Sequence, residues 1–150
     1  MNVGGHIKTS KEIPLDQKTI IHIMLVANAI NKKLATALKP FDVSIQQFNV
    51  LRILRGQNGK PANLGTLNER MVTKMSNTTR LVDKLVLKEF VERHTCPSNR
   101  RKTEINITAK GLEQLLKMDD VVSRTEKGML DQFSKRELKH LNLLLNQFKP

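Results

Sequence analysis

A short stretch in the middle of the chain places hydroxyl, amide and guanidinium side chains at consecutive positions. The residues are Ser76, Asn77, Thr78, Thr79 and Arg80. Such side chains suit the major groove of duplex DNA, where every base pair presents its own pattern of donors, acceptors and methyl groups. Small polar residues allow close approach, and an arginine can bind guanine or a phosphate. On a helix, Lys84 would share this polar side, roughly opposite Leu81 and Leu85, so the stretch predicts a DNA-reading face.

A second basic cluster follows in a segment with the composition of a turn. Its residues are Ser98, Asn99, Arg100, Arg101 and Lys102. A narrow minor groove concentrates negative potential and attracts arginine, so this cluster could reach such a groove or the flanking phosphates. A basic turn is by itself usually only a solvated loop. Its position after the polar stretch is what favours a role in DNA binding.

The charge of the chain is concentrated around these two clusters. The formal net charge is +12 and the isoelectric point is about 10.1, which indicates a polyanionic partner, either nucleic acid or less often an anionic membrane. Residues 60–103 contain ten Lys and Arg against four acidic residues, whereas residues 104–150 contain eight against seven. This distribution favours nucleic-acid binding over a general role of the charge in solubility.

The elements that must position these clusters can be read from caps and periodicity. Two short helices joined by a few residues, the first capped by Asn63 and the second by Ser76, are what a helix-turn-helix requires. The period then changes: residues 90–94 begin a strand, and residues 103–108 alternate polar and apolar side chains. A β-hairpin with a basic tip directly after a helix-turn-helix is a wing. Residues 44–108 are therefore predicted to form a winged helix-turn-helix lobe.

Long helical patterns flank this lobe. The helix expected over residues 14–40 is apolar on more than one side, and a partner subunit is a natural source of the extra cover. Residues 109–150 are predicted to form two more helices, capped by Thr108 and Ser134. We expect a single domain over residues 1–150, mainly α with a small β-hairpin wing, preceded by a loose arm over residues 1–13.

Several short runs between Ser44 and Gly111 occur at spacings that resemble the MarR family of bacterial regulators. The runs are Thr79–Leu85, Lys88, Val91–Arg93, Asn99–Arg101 and Ile107–Gly111. The resemblance implies a homodimer held by the first and the last two helices, so that residues 14–40 and 109–150 would be dimerisation helices. Each subunit would offer its winged helix to half of a pseudo-palindromic site. The family also implies that a small ligand or an oxidant relieves DNA binding, and that repression is the more usual role.

The resemblance assigns roles to single residues and shows two departures. In the family, the aspartate matching Asp83 pairs with a wing arginine, here matched by Arg101, which would leave Arg100 freer for the minor groove. Asn99 stands where the family usually has aspartate, so a carboxylate that orients the wing arginines is missing. Glu89 stands where a glycine commonly ends the recognition helix. A left-handed backbone there would cost on the order of 1 kcal/mol, so we expect a turn of different shape.

The sequence gives little support for a catalytic site or a metal site. The chain has no Gly-x-Ser-x-Gly, no phosphate-binding glycine loop and no His-Glu-x-x-His, so we expect no enzyme activity and no cofactor. His94 and Cys96 could supply two zinc ligands, but structural zinc needs four, so we expect no metal. Cys96 is also a candidate redox sensor, because Arg93, Arg100 and Arg101 nearby would favour its thiolate. An incidental loop cysteine is the simpler interpretation.

RNA binding and pure protein interaction are the remaining alternatives. Single-strand RNA modules stack bases on aromatic side chains, and this chain has five Phe with no Tyr or Trp. A winged helix that contacts only proteins needs neither a small polar face nor a basic wing. The longest apolar stretch, residues 20–30, is too short to span a bilayer, and a single cysteine fits a reducing compartment. We therefore expect a cytoplasmic, homodimeric, sequence-specific regulator of double-stranded DNA that acts as a ligand- or stress-responsive repressor.

Overall fold

A computed structural model of the chain describes residues 3–6, 12–72, 77–96 and 99–148. Ser76 and Ser98 lie outside the described residues. The backbone of Arg100, Arg101 and Lys102 is described, but their side chains are not. The described chain is mainly helical with a two-stranded antiparallel sheet, which confirms the predicted fold class.

Two helices precede the winged lobe. Helix α1 covers Val3–His6, and helix α2 covers Leu15–Leu38 and leads into a 3₁₀ turn at Lys39–Phe41. Residues 3–6, which we expected to belong to a loose arm, instead form this short helix with Val3 fully buried. Within α2 only Leu38 is buried, so the apolar face of this helix is open in the single chain.

Three helices form the first part of the winged lobe: α3 (Ile45–Arg55), α4 (Leu64–Arg70) and α5 (Thr78–Leu87). Ser44 begins α3 with a capping box, in which its hydroxyl accepts from the Gln47 amide and the Gln47 side chain accepts from the Ser44 amide. Asn63 caps α4 through its side-chain oxygen, as expected. These caps satisfy amides at the helix starts and fix where each helix begins.

The hairpin pairs strand β1 (Val91–Cys96) with strand β2 (Asn99–Ile107). Ala62, in the connection before α4, adds a short bridge to Ile105 of β2 through two hydrogen bonds of 3.0 and 2.8 Å. Ile105 is fully buried, so its side chain joins the core while its backbone holds the bridge. This bridge attaches the hairpin to the connection before α4.

Two helices follow the hairpin: α6 (Ala109–Leu130), capped by Thr108, and α7 (Lys135–Leu145), capped by Ser134 in a second capping box. None of the residues of α7 is buried. An ion pair between Arg55 of α3 and Asp119 joins α6 to the lobe.

The core lies inside the winged lobe and against one side of α6. Its largest fully buried side chains come from α2, α3, α4, α5, β2 and α6: Leu38, Leu51, Leu67, Leu85, Ile105, Leu115 and Met118. Fully burying one such side chain contributes roughly 1.5–3 kcal/mol. The lobe is therefore fixed on α6, while α7 and the outer face of α2 remain uncovered by the chain itself.

Candidate nucleic-acid interface

Helix α5 has one buried face and one exposed face. Val82 and Leu85 are fully buried and hold the helix against the core. Thr79, Arg80 and Lys84 are exposed. The residues expected to meet DNA are thus presented to solvent on a rigid helix, which is the geometry that a major-groove helix requires.

The start of α5 differs from our expectation. We expected Ser76 to cap the helix, but the N-cap residue is Asn77 and the helix begins at Thr78. Asn77 is exposed, and within the described residues its side chain makes no capping hydrogen bond. Its amide therefore stands at the end of α5 from which recognition helices contact bases and phosphates.

Thr78 was expected to face DNA, but its side chain points into the protein. It is only 4% exposed, and its hydroxyl donates to the side-chain oxygen of Asn68 on α4. The bond joins the two helices of the helix-turn-helix at the start of α5. We therefore assign Thr78 to positioning α5 rather than to contacting DNA. The sequence does not separate Thr78 from Thr79, because both are threonines that precede the first apolar residue of the helix.

Helix α5 ends at Leu87, and a Schellman motif follows with Lys88 as the C-cap residue. The Phe90 amide donates to the Leu85 carbonyl at 3.0 Å, and the Glu89 amide donates to the Val86 carbonyl at 2.8 Å. Phe90 and Leu85 are both buried, which supplies the apolar contact that often accompanies this motif. Glu89 has a left-handed φ of 61°. The turn therefore keeps the left-handed shape that glycine gives, and the different shape that we expected from Glu89 does not occur.

The side chain of Glu89 ties the end of α5 to the start of α6. Lys110 Nζ lies 2.5 Å from Glu89 Oε2, and the hydrogen bond and charge of Lys110 hold the pKa of Glu89 below its ordinary value. The Thr108 hydroxyl donates to the Glu89 carbonyl at 2.7 Å. Lys110 Nζ also lies 5.9 Å from the centroid of the Phe90 ring. These contacts fix where α6 leaves the winged lobe.

An ion pair attaches the wing to α5. Arg93 Nη1 on β1 lies 2.8 Å from Asp83 Oδ1, and the two side chains are 39% and 46% exposed. A pair this exposed adds little stability, but it restricts where the hairpin lies against the helix. We expected Arg101 to be the partner of Asp83; the Arg101 side chain lies outside the description, so that pair stays a prediction. The sequence does not identify Arg93 as the partner of Asp83, because strand alternation does not say which face of a hairpin meets the helix.

The basic wing residues belong to β2 rather than to a turn. The strands pair regularly as far as Thr95 opposite Thr103, and the next pair is Cys96 opposite Asn99. Residues 100–102 lie between these two pairs, so the register shift occurs at the three basic residues of the wing. A strand irregularity of this kind interrupts the regular ladder of backbone hydrogen bonds. Asn99 is exposed and Cys96 is half-buried.

Within the described residues, no three His, Cys, Asp or Glu side chains come close enough together to hold a metal ion. None of the helices in this part of the chain has the length and apolar character needed to cross a bilayer. The redox role of Cys96 stays a prediction.

Comparison with known proteins agrees with this geometry. The MarR family model matches residues 43–103. A MarR-like transcription regulator from Bacillus cereus has a TM-score of 0.80 and 27% identity, with 88% of this chain and 94% of the other covered. The organohalide-sensing regulator RdhR, in its 2,4-dichlorophenol-bound form, has a TM-score of 0.82 and 18% identity, covering 90% and 79%. The transcriptional repressor IacR of Pseudomonas putida is 21% identical over 140 residues, which is 93% of this chain and 83% of the relative.

The fold, the exposed face of α5 and the hairpin define a winged helix-turn-helix transcription regulator of the DNA-binding type. The family match covers the winged lobe, and the solved MarR-type structures cover the flanking helices as well. Residues 43–103 therefore match the MarR family, and the solved structures that the chain resembles are MarR-type regulators.

Proposed function

We propose that this protein is a homodimeric repressor that reads a pseudo-palindromic site on duplex DNA, with one half-site for each subunit. The observation that carries the proposal is the exposed face of α5, where Thr79, Arg80 and Lys84 lie opposite the buried Val82 and Leu85. In this role Arg80 binds a guanine or a phosphate, and Asn77 and Thr79 contact base edges. Lys84, further along the helix, binds the phosphate backbone.

The wing supplies the second contact in this proposal. Arg100 enters the minor groove, and Arg101 shares the neighbourhood of Asp83 with Arg93. The remaining predicted contacts flank these two regions: Ser76, Ser98, Asn99 and Lys102. The ion pair between Asp83 and Arg93 supports a fixed angle between helix and wing.

Exposed apolar side chains support the homodimer. They are concentrated on α2, α6 and α7: Ile20, Ile23, Met24, Val26, Ile30, Leu112, Leu116, Leu141, Leu143, Leu144 and Leu145. Soluble monomers rarely expose apolar surface on this scale, and such surface usually marks an interface. A second copy of the chain would cover these helices and bring two winged lobes to one side of the dimer.

Similarity to relatives supports the repressor role and the response to an effector. IacR is a repressor, and RdhR senses organohalides and is solved with 2,4-dichlorophenol bound. In our proposal this chain likewise leaves its DNA when a small molecule binds, and it acts in the cytoplasm where that DNA lies.

Footprinting on the region upstream of the protein's own gene tests the two-fold arrangement. We expect two protected half-sites with centres about 10 base pairs apart, one turn of the double helix. A single asymmetric half-site would contradict the dimeric reading of DNA.

Sedimentation of a surface variant tests the dimer itself. Leu116 is 65% exposed, so Leu116→Glu should be tolerated by a monomer but should break an apolar interface. We expect the variant to sediment at half the mass of the wild type while staying folded. The matched control is Val72→Glu, an equally apolar surface position that is 91% exposed and lies outside these helices; it should keep the dimer mass. A Leu116→Glu protein that remains dimeric would exclude this interface.

A further inference from the structure

Helix α6 connects the winged lobe to the proposed dimer surface, which consists of the exposed apolar side chains of α2, α6 and α7. On one side of α6, the fully buried Leu115 and Met118 belong to the core of the lobe. On another side, Leu112 and Leu116 are exposed and belong to the proposed dimer surface. Helix α2, which carries much of that surface, also packs along α6. The angle between the lobe and α6 therefore determines where each subunit of a dimer holds its α5.

The lobe is attached to α6 at two separate points by pairs of opposite charge. At the start of α6, Lys110 binds Glu89, which follows α5. Farther along α6, Asp119 binds Arg55, the last residue of α3. Asp119 follows Lys110 by nine positions, which corresponds to about 13 Å along the helix axis. Because the two attachments reach different parts of the lobe, the lobe cannot turn about one of them without breaking the other.

The pair of Arg55 with Asp119 is a directional contact. Nη1 of Arg55 donates to Oδ2 of Asp119, and the two side chains are only 36% and 32% exposed. A pair that is largely covered is screened less by salt than a fully exposed pair. The hydrophobic effect is non-directional, whereas a hydrogen bond restricts both distance and angle. The pair can therefore fix an orientation that apolar packing alone leaves adjustable.

Neighbouring charged residues of α6 pair within the helix instead. Lys117 binds Glu113, and Arg124 binds Asp120, each across four positions of the chain. Such pairs support the helix itself. Asp120 therefore provides a matched control for Asp119: it is the same residue type at the next position, and its ion pair stays within α6.

We propose that Arg55 and Asp119 are positioning residues that set the angle of the winged lobe on α6, and that this angle determines which spacing of half-sites the dimer accepts. A two-fold axis relates the subunits, so a rotation of the lobes moves both α5 helices and changes their separation from both sides. One inserted base pair moves the half-sites about 3.4 Å farther apart and turns them by roughly 35° about the DNA axis. In this role the two residues need no contact with DNA. The inference rests on the proposed dimeric function.

Spacing selectivity is measured by fluorescence anisotropy on three duplexes: the operator, the operator with one base pair inserted between its half-sites, and a duplex with a single half-site. We expect Asp119→Asn to bind the single half-site like the wild type, because the face of α5 is unchanged. Its preference for the operator over the inserted duplex should fall at least fivefold. Arg55→Gln should have the same effect, whereas Arg55→Lys, which keeps the charge, should retain most of the preference. Asp120→Asn should behave like the wild type.

Three results of this measurement would overturn the proposal. If Asp119→Asn keeps the wild-type preference, the pair does not set the spacing. Equal losses on all three duplexes would show that the pair only supports the fold. An equal effect of Asp120→Asn would assign the change to the lost charge and not to the contact with the lobe.

The orientation itself is measured without DNA, by pulsed electron paramagnetic resonance between nitroxide labels on the two subunits of the dimer. The labels are attached at Glu69→Cys, an exposed position of α4, in a Cys96→Ser background. We expect one narrow distribution of distances when the ion pair is intact, a broader or shifted one for Asp119→Asn, and an unchanged one for Asp120→Asn.

The label distances separate this inference from the proposed function. Identical distributions for the three proteins would contradict the positioning role. If Asp119→Asn broadens the distribution in a protein that binds no duplex, the positioning role stands and the proposed function is refuted. A monomeric protein, which would give no distance between subunits, would refute the dimer and this inference together.

Discussion

Gly111 of α6 lies directly against the main-chain carbonyl group of Phe90. A Cβ atom on Gly111 would stand 2.1 Å from the Phe90 oxygen, far inside any permitted contact. The Gly111 amide donates to the Thr108 hydroxyl at 2.9 Å, and the Thr108 amide donates to the same Phe90 carbonyl at 3.0 Å. The end of the hairpin, the turn after α5 and the start of α6 therefore meet at one point, which only a residue without a side chain can occupy.

Replacing this glycine should loosen the winged lobe from α6. For Gly111→Ala we expect a loss of roughly 1–3 kcal/mol in the free energy of unfolding, since the added methyl group meets backbone rather than a movable side chain. Urea unfolding measures the change. The matched control is Gly128→Ala on the same helix, where a Cβ would have nothing within 4 Å, so alanine should stabilise α6 through its higher helix propensity. A Gly111→Ala protein as stable as the wild type would contradict the close approach.

Glu89, in contrast to Gly111, has a side chain at a position where the backbone conformation favours glycine. Its left-handed φ of 61° carries a backbone cost of about 1 kcal/mol for a residue with a Cβ atom. We expect Glu89→Gly to raise the melting temperature by roughly 2–4 °C. Glu89→Gln separates the two roles of the residue, because it keeps the backbone strain and removes only the charge that binds Lys110. If both variants melt at the same temperature, the strain does not limit stability.

The ion pairs at the two ends of the lobe should make stability depend on pH in the acid range. Asp42 and Glu89 both have a pKa below the ordinary value, because Lys88 and Lys110 bind their charged forms. This contribution is fully present above the carboxyl pKa values of the unfolded chain and is lost as the pH falls through the lower folded values. We expect the double variant Asp42→Asn, Glu89→Gln to lose less stability than the wild type between neutral and acid pH in urea unfolding. Parallel acid losses in the two proteins would show that these pairs do not contribute.

Features set by neighbouring residues could be predicted from the sequence. The caps at Asn63 and Thr108 depend on side chains within three positions of the amides that they bind, so their residue types were sufficient. The turn at Glu89 could not be predicted in the same way. Its shape follows from the contact between Phe90 and Leu85 in the core, which outweighs the preference of a single residue for φ below zero.

In the candidate interface, too, local features could be predicted from the sequence and contacts between distant residues could not. The sequence indicates the polar stretch that opens α5, but the inward turn of Thr78 depends on Asn68 of another helix. The pair of Asp83 with Arg93 depends on how the hairpin lies on α5. Lys32 and Lys84 line one groove although they are about fifty positions apart in the chain, and no local pattern brings them together.

The salt dependence of DNA binding tests whether the wing contacts the DNA backbone. Each phosphate contact adds about 0.9 to the slope of log affinity against log salt concentration on duplex DNA. We expect Arg100→Ala to reduce the slope by about one contact when affinity is measured by anisotropy over a salt series. Lys135→Ala on α7 serves as the control and should leave the slope unchanged. An unchanged slope for Arg100→Ala would place the wing away from the DNA backbone.

The DNA affinity of an Arg80 variant shows whether the exposed face of α5 reads duplex DNA. The measurement is the affinity of wild type and Arg80→Ala for the footprinted operator and for a random duplex of equal length, with Arg136→Ala on α7 as the matched control. We predict that Arg80→Ala loses roughly 1–3 kcal/mol on the operator and much less on random DNA, while Arg136→Ala binds both like the wild type. Equal operator affinities for Arg80→Ala and the wild type would contradict the account.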